Sequence, residues 1–280
     1  MQTIIVAVDF SNTSIHAIEY SIPLANKLKS DIILVWVDKV SPTESVYPDT
    51  SAENRNEAKR RFEEILTTYS PLMGKNLKMD YKLRKGKIFH EIDALAKSVN
   101  AGLVITGTHG ISGFEEYWIG SNAFKIVVSS SCPVITIRHD FPIRKSIRRI
   151  LLPIDSSPET IHKVPFVAEF AKLFNSEVHV VGTHSSHLAS IRRLAEKYVR
   201  QSCDYLASKG ITFVEENIVS TDITKDLLQY ARKEKIDLIA MVTEPETPAN
   251  IILGPHSQQL INHSPIPVLS IHPPEKSNSK

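Results

Sequence analysis

The chain contains the same unit twice, and this duplication limits the folds open to it. Residues 4–11 (IIVAVDFS) return as 150–157 (ILLPIDSS), and 31–37 (DIILVWV) return as 176–182 (SEVHVVG). Residues 102–105 (GLVI) return as 237–240 (DLIA), and 132–137 (CPVITI) return as 266–271 (IPVLSI). Four matching segments in the same order point to an internal repeat. A length of 280 residues would suit one large domain or two of about 140, and the repeat favours two. The expected boundaries are 1–140 and 147–275, joined by HDFPIRKSIRR at 139–149. That join reads as a short solvated linker, because its Lys/Arg run has no aromatic interleaving to make it a nucleic-acid patch.

Within each copy, short apolar runs alternate with longer helical patterns. In the first copy the spacing predicts strands near 2–8, 31–37, 77–83, 102–106 and 133–138, and helices near 13–29, 51–70, 87–99 and 120–130. In the second it predicts strands near 148–154, 176–182, 211–218, 237–242 and 267–272, and helices near 158–174, 187–208, 222–234 and 255–263. Continuous Val/Ile/Leu runs suit strands covered on both faces, as in a parallel sheet. The strand–helix alternation predicts an α/β fold of two tandem doubly wound, Rossmann-like units.

Chemistry is concentrated in residues 102–123, GLVITGTHGISGFEEYWIGSNA. An apolar strand runs into Gly107-Thr108-His109-Gly110, and Gly120-Ser121-Asn122 follows just before the helical run from Phe124. Gly107 and Gly110 would let the backbone approach a ligand and turn through positive φ. Gly120 and Ser121 would open a helix, where free N–H groups and the positive dipole end attract an anion such as phosphate. The bland alternative is two surface turns and a helix cap. Asp9, at the end of the first strand, has two compatible readings. It can cap the next helix or start an Asx turn, and it can accept from a ribose or adenine edge.

The spacing G-x2-G-x9-G-S resembles the nucleotide-binding signature of the universal stress protein family, and the repeat makes the whole chain similar to a tandem member. The resemblance implies a five-stranded parallel sheet flanked by helices in each unit. It also implies an intrachain pseudo-dimer, with 133–138 beside 267–272, and leaves room for a homodimer of chains. It implies ATP or AMP as ligand; in the alternative of slow ATP turnover, Mg²⁺ would be held mainly by phosphate oxygens. Ala7 and Val37 would border the adenine, and Asp9 would contact the nucleoside. Thr106 and Gly107 would lie along the ribose and phosphates, while Gly110, Gly120, Ser121, Asn122 and Ala123 would hold the phosphates. Asn122 departs from the small apolar residue often found at its position. Lys125 and His109 are near enough in sequence to reach a phosphate, but exposed side chains are the simpler reading. Residues 38–50 form a long loop, read as a flap over the site or an interaction surface, with Tyr47 as a base-packing or loop-anchoring residue.

The second copy has lost the motif. Val242 stands at the Gly107 position and Pro245 at the Gly110 position, while Pro255 replaces the hydroxyl residue after Gly254. Proline removes amide donors. Glu244 and Glu246 add charge that would repel a phosphate by about 4 kcal/mol per pair at ~4 Å and an effective dielectric of ~20. This copy is expected to bind no ATP there and to serve as the structural partner of the first.

The other classes are weaker. A formal net charge of +2 gives no case for nucleic acid or a membrane surface. No run approaches the ~18 apolar residues of a span, and MQTIIVAVD lacks a signal-peptide n-region. Cys132 and Cys203 fall in different halves and read as buried small hydrophobes in a reducing compartment. No G-x4-G-K-[ST] loop occurs, and no general base is placed for an attacking water. His184 and His187 have ligand-like spacing without a further ligand. The expectation is a cytoplasmic, nucleotide-binding regulatory module of the stress response that acts on a protein partner. A nucleotide-independent scaffold and a slow ATP hydrolase are the alternatives.

Overall fold

The computed structural model describes residues 3–38, 51–108, 120–184, 188–243, 245–247, 250–251 and 255–272. The chain divides into two compact units, Met1–Lys145 and Ser146–Lys280.

The first unit opens with β1 (Thr3–Ala7), whose Ile4, Ile5 and Val6 are completely buried. Burial of consecutive residues means that both faces of the strand are covered. Helix α1 (Asn12–Leu28) begins at Ser11, whose hydroxyl accepts from the Ser14 N–H, and ends at Lys29 in the left-handed conformation. Pro23 lies inside α1 without ending it. Then come β2 (Asp31–Asp38), α2 (Ser51–Tyr69), β3 (Met79–Lys85), α3 (Ile88–Ser98), β4 (Leu103–Gly107), α4 (Ser121–Ser129) and β5 (Val134–Ile137). The strands are all parallel, in the order β3-β2-β1-β4-β5. Ile4 pairs with Ile32 on one side and Leu103 on the other. The chain therefore winds outward from β1 in one direction and returns to its other flank at β4. Such a switch point leaves a crevice beyond the carboxyl ends of the strands.

Helix α3 forms one wall of that crevice, and Asp93 pins it. The Asp93 carboxylate accepts from the Ser131 N–H at 2.7 Å and pairs with the Lys97 ammonium at 2.7 Å. Burial pushes this carboxyl up, but the bonds from Lys97 and Ser131 outweigh it and hold it below the usual carboxylate range. A depressed folded-state pKa contributes stability above the unfolded value and loses it as pH falls through the folded one. Asp93→Asn is therefore expected to cost about 0.5–1 kcal/mol at neutral pH, allowing for solvent screening. The difference from wild type should shrink in acid, as the pH falls through the depressed folded-state value and the carboxyl protonates. Denaturant titrations at neutral and acid pH check this, and a cost undiminished in acid would contradict it.

The second unit repeats the plan with β6 (Arg149–Ile154), α5 (Val164–Phe174), β7 (Glu177–His184), α6 (Ala189–Ser208), β8 (Phe213–Val219), α7 (Ile223–Lys233) and β9 (Leu238–Val242). A short antiparallel pair, β10 (Pro245–Thr247) and β11 (Asn250–Ile251), precedes α8 (Pro255–His263) and β12 (Val268–Ile271). The parallel strands run β8-β7-β6-β9-β12.

Three details differ from the sequence reading. The helix expected over 158–174 is a 3-10 turn over Pro158–Lys163 followed by α5, with Pro165 in its first turn. Proline fits a first turn, where its missing N–H is not needed, but does not fit a helix interior. The stretch after Val242, read as a loop, contains the β10–β11 pair. The segment 139–149 is not wholly solvated. Phe141 and Ile147 are buried, Phe141 meets Tyr20 edge-on, and its carbonyl lies 2.7 Å from His16 Nε2.

Both cysteines are buried and free. Burial pushes the Cys203 thiol up to about 12, reinforced by Glu215 beside it. Burial also raises the Cys132 thiol. Such thiols are poor nucleophiles at neutral pH.

Candidate functional site

The loop after β1 is shaped by local polar bonds. The Asp9 Oδ1 accepts from the Ser11 N–H at 3.0 Å and the Ser11 hydroxyl at 2.6 Å, and the Asp9 N–H donates to the Ser14 hydroxyl at 3.3 Å. This is an Asx turn, and the helix cap is Ser11, not Asp9. The neighbouring Phe10 is held at φ 64. Its ring lies 4.9 Å from Phe62, the Arg61 guanidinium sits 4.5 Å above it, and Arg61 donates to its carbonyl at 3.4 Å. A left-handed phenylalanine is uncommon, and this clamp on three sides accounts for it.

Gly107 closes β4, but not for the reason the sequence suggested. It is a strand residue and is not among the glycines with positive φ. A Cβ there would stand 2.6 Å from Thr13 Cγ2 and 3.2 Å from the Thr13 carbonyl carbon. Glycine is required so that the first turn of α1 can lie against the end of β4. Next, the Thr108 N–H donates to Ile137 O at 2.9 Å, and the Gly120 N–H donates to Thr108 O at 2.7 Å. Residues 108 and 120 are thereby clasped at the foot of α4.

Helix α4 has glycine as its N-cap and no side-chain cap. Its first N–H groups have no intrahelical partner. Among the described residues the amides of Ser121, Asn122 and Ala123 have no acceptor, and they lie at the positive end of the helix.

These elements enclose a cavity of about 480 Å³, within the ~300–1,000 Å³ range of small-molecule sites. Ala7, Asp9, Val37, Thr106, Gly107, Gly120, Ser121, Asn122 and Ala123 all line it. Of the residues expected in the site, Gly110 lies outside the described residues, as do His109, Tyr47 and positions 39–50 of the expected flap. Lys125 is exposed, with its ammonium 5.8 Å from the Phe89 ring centre, and does not line the cavity.

The wall also contains residues that the sequence reading missed. Val35, Trp36, Ile88, Ile92 and Ile126 add apolar surface, and Ser14, Asn54 and Thr108 add polar groups. The most unusual is Asp38. It is 7% exposed, and its Oδ2 has no hydrogen-bond partner among the described residues. The signal available was a carboxylate directly continuing the apolar strand DIILVWV, since aspartate is rarely buried unless paired.

The second unit keeps the turn but differs at the end of its fourth strand and at the start of the helix that follows. Asp155 Oδ1 accepts from the Ser157 N–H at 2.8 Å and its hydroxyl at 2.6 Å, and the Asp155 N–H donates to the Thr160 hydroxyl at 3.2 Å. Val242 ends β9 where Gly107 ends β4, and Pro255, which has no N–H, is the first residue of α8. Glu244 and Gly254 lie outside the described residues. This unit has a cavity of about 300 Å³ elsewhere, lined by Arg149, Glu177, His179, Tyr230 and Glu234 among others. Arg149 and Glu177 begin β6 and β7, so it lies at the amino ends of those strands. Among the described residues, no group of three or more His, Cys, Asp or Glu is placed to hold a metal ion. Among the described residues no helix is long and apolar enough to cross a membrane.

Comparison with known proteins gives a consistent result. A model of the Universal stress protein family matches twice, over residues 1–138 and 146–272. The universal stress protein YxiE of Bacillus subtilis is 29% identical over 143 residues, covering 48% of this chain and 97% of that protein. The universal stress protein MJ0531 of Methanocaldococcus jannaschii is 26% identical over 137 residues, covering 48% of this chain and 81% of that protein. Among solved structures, a universal stress protein from Archaeoglobus fulgidus superposes with a TM-score of 0.78 at 18% identity. It covers 97% of this chain and 96% of the other, a likeness of fold.

Proposed function

The chain belongs to the universal stress protein family, and on that premise we propose that its first unit binds an adenine nucleotide, ATP or AMP, as a regulatory binding module. One observation carries the reading. The described residues singled out by the glycine signature line a single cavity that ends at the uncapped first turn of α4.

In this reading the amides of Ser121, Asn122 and Ala123, with the Ser121 hydroxyl, receive the phosphates. Gly107 and Thr106 run beneath the ribose. Ala7, Val37, Ile88 and Ile92 enclose the base. Among the described lining residues the ionisable groups are Asp9 and Asp38, and no Lys or Arg. Phosphate charge is therefore balanced by the helix dipole and by a cation such as Mg²⁺ carried on the phosphate oxygens. Asp9 Oδ1 is taken up by Ser11 in the turn, and in this reading the site binds without turnover. Nucleotide occupancy would change what the surface presents to a protein partner, provided that the two states differ in nucleotide affinity. The second unit acts as the structural partner of the first.

Calorimetric titration of the full chain with ATP and Mg²⁺ tests this. The expected result is one nucleotide per chain. Two per chain would overturn the reading of the second unit. No heat at millimolar nucleotide would leave a nucleotide-independent scaffold.

A further inference from the structure

We propose that Asp38 is the residue by which the first unit distinguishes an aminopurine from an oxopurine, its buried carboxylate accepting from the exocyclic amine of the base. The inference rests on the nucleotide reading and deepens it.

Three observations converge on Asp38. Its Oδ2 is buried without a hydrogen-bond partner among the described residues, while the residue lines the cavity. A buried carboxylate oxygen without a donor is costly, so a ligand that brings an N–H to it is strongly favoured. The second observation is position. Asp38 ends β2, and α4 follows β4, with β1 between them in the sheet. Adjacent strands are about 4.8 Å apart, so these two ends of the crevice are about 10 Å apart. A nucleotide with its phosphates at α4 crosses β1 with its sugar and brings its base to β2. The wall there includes Val35, Val37, Ile88 and Ile92, an apolar setting suited to a flat base.

The third observation comes from the internal repeat. Strand registers align the two units by pairing Ile4 with Ile32 and Ile150 with Val178. Asp38 then corresponds to His184, each closing its strand. Asp9 corresponds to Asp155, which makes the same turn in a unit that has lost the glycines. The aspartate that survives the loss of the glycines is the turn former. The one that disappears with them is Asp38, as expected of a residue that serves the ligand.

A carboxylate accepts from the amine of adenine and repels the carbonyl oxygen at the same position of hypoxanthine. The test measures binding of ATP, ITP and 2′-deoxy-ATP to the full-length wild type and to Asp38→Asn, with thermal unfolding recorded for both proteins. Wild type is expected to bind ATP about 10- to 100-fold more tightly than ITP and to bind 2′-deoxy-ATP like ATP. In Asp38→Asn, whose amide both donates and accepts, the ATP and ITP affinities should fall within about threefold of each other. Asp38→Ser carries the same expectation should the asparagine variant not fold. Equal binding of ATP and ITP by wild type would overturn the assignment, as would a preference that survives in the folded variant. Selective loss of 2′-deoxy-ATP would also overturn it and move Asp38 to the ribose. If wild type binds none of the three, the nucleotide reading itself fails, and this inference fails with it.

Discussion

Ser121→Glu is expected to weaken ATP binding by about 30- to 100-fold while leaving the melting temperature unchanged or slightly raised. Ser121 is the first residue of α4, exposed, and at the wall of the cavity. A carboxylate there meets the positive end of the helix dipole, which helps an exposed helix by about 0.3–1 kcal/mol. The same carboxylate stands where phosphate would bind. Repulsion of about 4 kcal/mol per charge pair at ~4 Å, reduced by exposure and salt, leaves about 2–3 kcal/mol against the ligand. Stability and affinity therefore move in opposite directions, which a general disruption of the fold cannot produce. Calorimetry with ATP and thermal unfolding on the same samples give both values. Unchanged affinity in the variant would remove the first turn of α4 from the site.

Phe62→Ala is expected to destabilise the first unit by about 3–5 kcal/mol. Phe62 is completely buried, stacked on Tyr81 at 4.8 Å between ring centres and tilted against Phe10 at 4.9 Å. Its removal leaves a cavity beneath Phe10, whose backbone is held at φ 64 immediately after Asp9. The loop at the base of the crevice then loses one of the supports that keep it in an unfavourable conformation. Nucleotide affinity should fall as well, although Phe62 does not line the cavity. Chemical denaturation followed by calorimetry at a temperature where the variant stays folded separates the two effects. Phe62→Leu should recover most of the stability, because it refills most of the volume. A variant with wild-type stability would mean that the aromatic stack contributes little.

The parts of this structure that were legible in the sequence are those with a single physical cause. Strands such as β1 and β4 are buried on both faces, so their apolar runs read directly. Gly120 and Ser121 were legible because helix starts have a strong local chemistry. Gly107 was found for an incomplete reason, since the constraint is Thr13 from another element, and no local pattern reveals a contact between segments distant in sequence. Asp9 was legible as a turn or a ligand group, and the hydrogen bonds settle the turn. Asp38 was overlooked because a carboxylate at the end of an apolar run looks like the first residue of a loop. It pairs with Lys85 of β3, and its carbonyl accepts from the Gly86 N–H, contacts between distant segments that periodicity does not encode. The repeat was also misaligned by one residue at its second strand. The two strands, DIILVWVD and EVHVVGTH, share too few residues for a local match to set the offset, and the pairing of Ile150 with Val178 does so.

The Asx turn occurs in both units, at Asp9 and at Asp155, whether or not the glycines accompany it. The second unit builds its full sheet with valine at 242 and proline at 255. The sheet and the Asx turn thus form whether glycine or valine closes the fourth strand. At Gly107 a side chain is excluded by Thr13 in α1; in the second unit, where valine ends the strand, the corresponding segment is the 3-10 turn Pro158–Lys163. On the reading proposed above, one copy can lose ligand capture while it keeps its sheet and its turn.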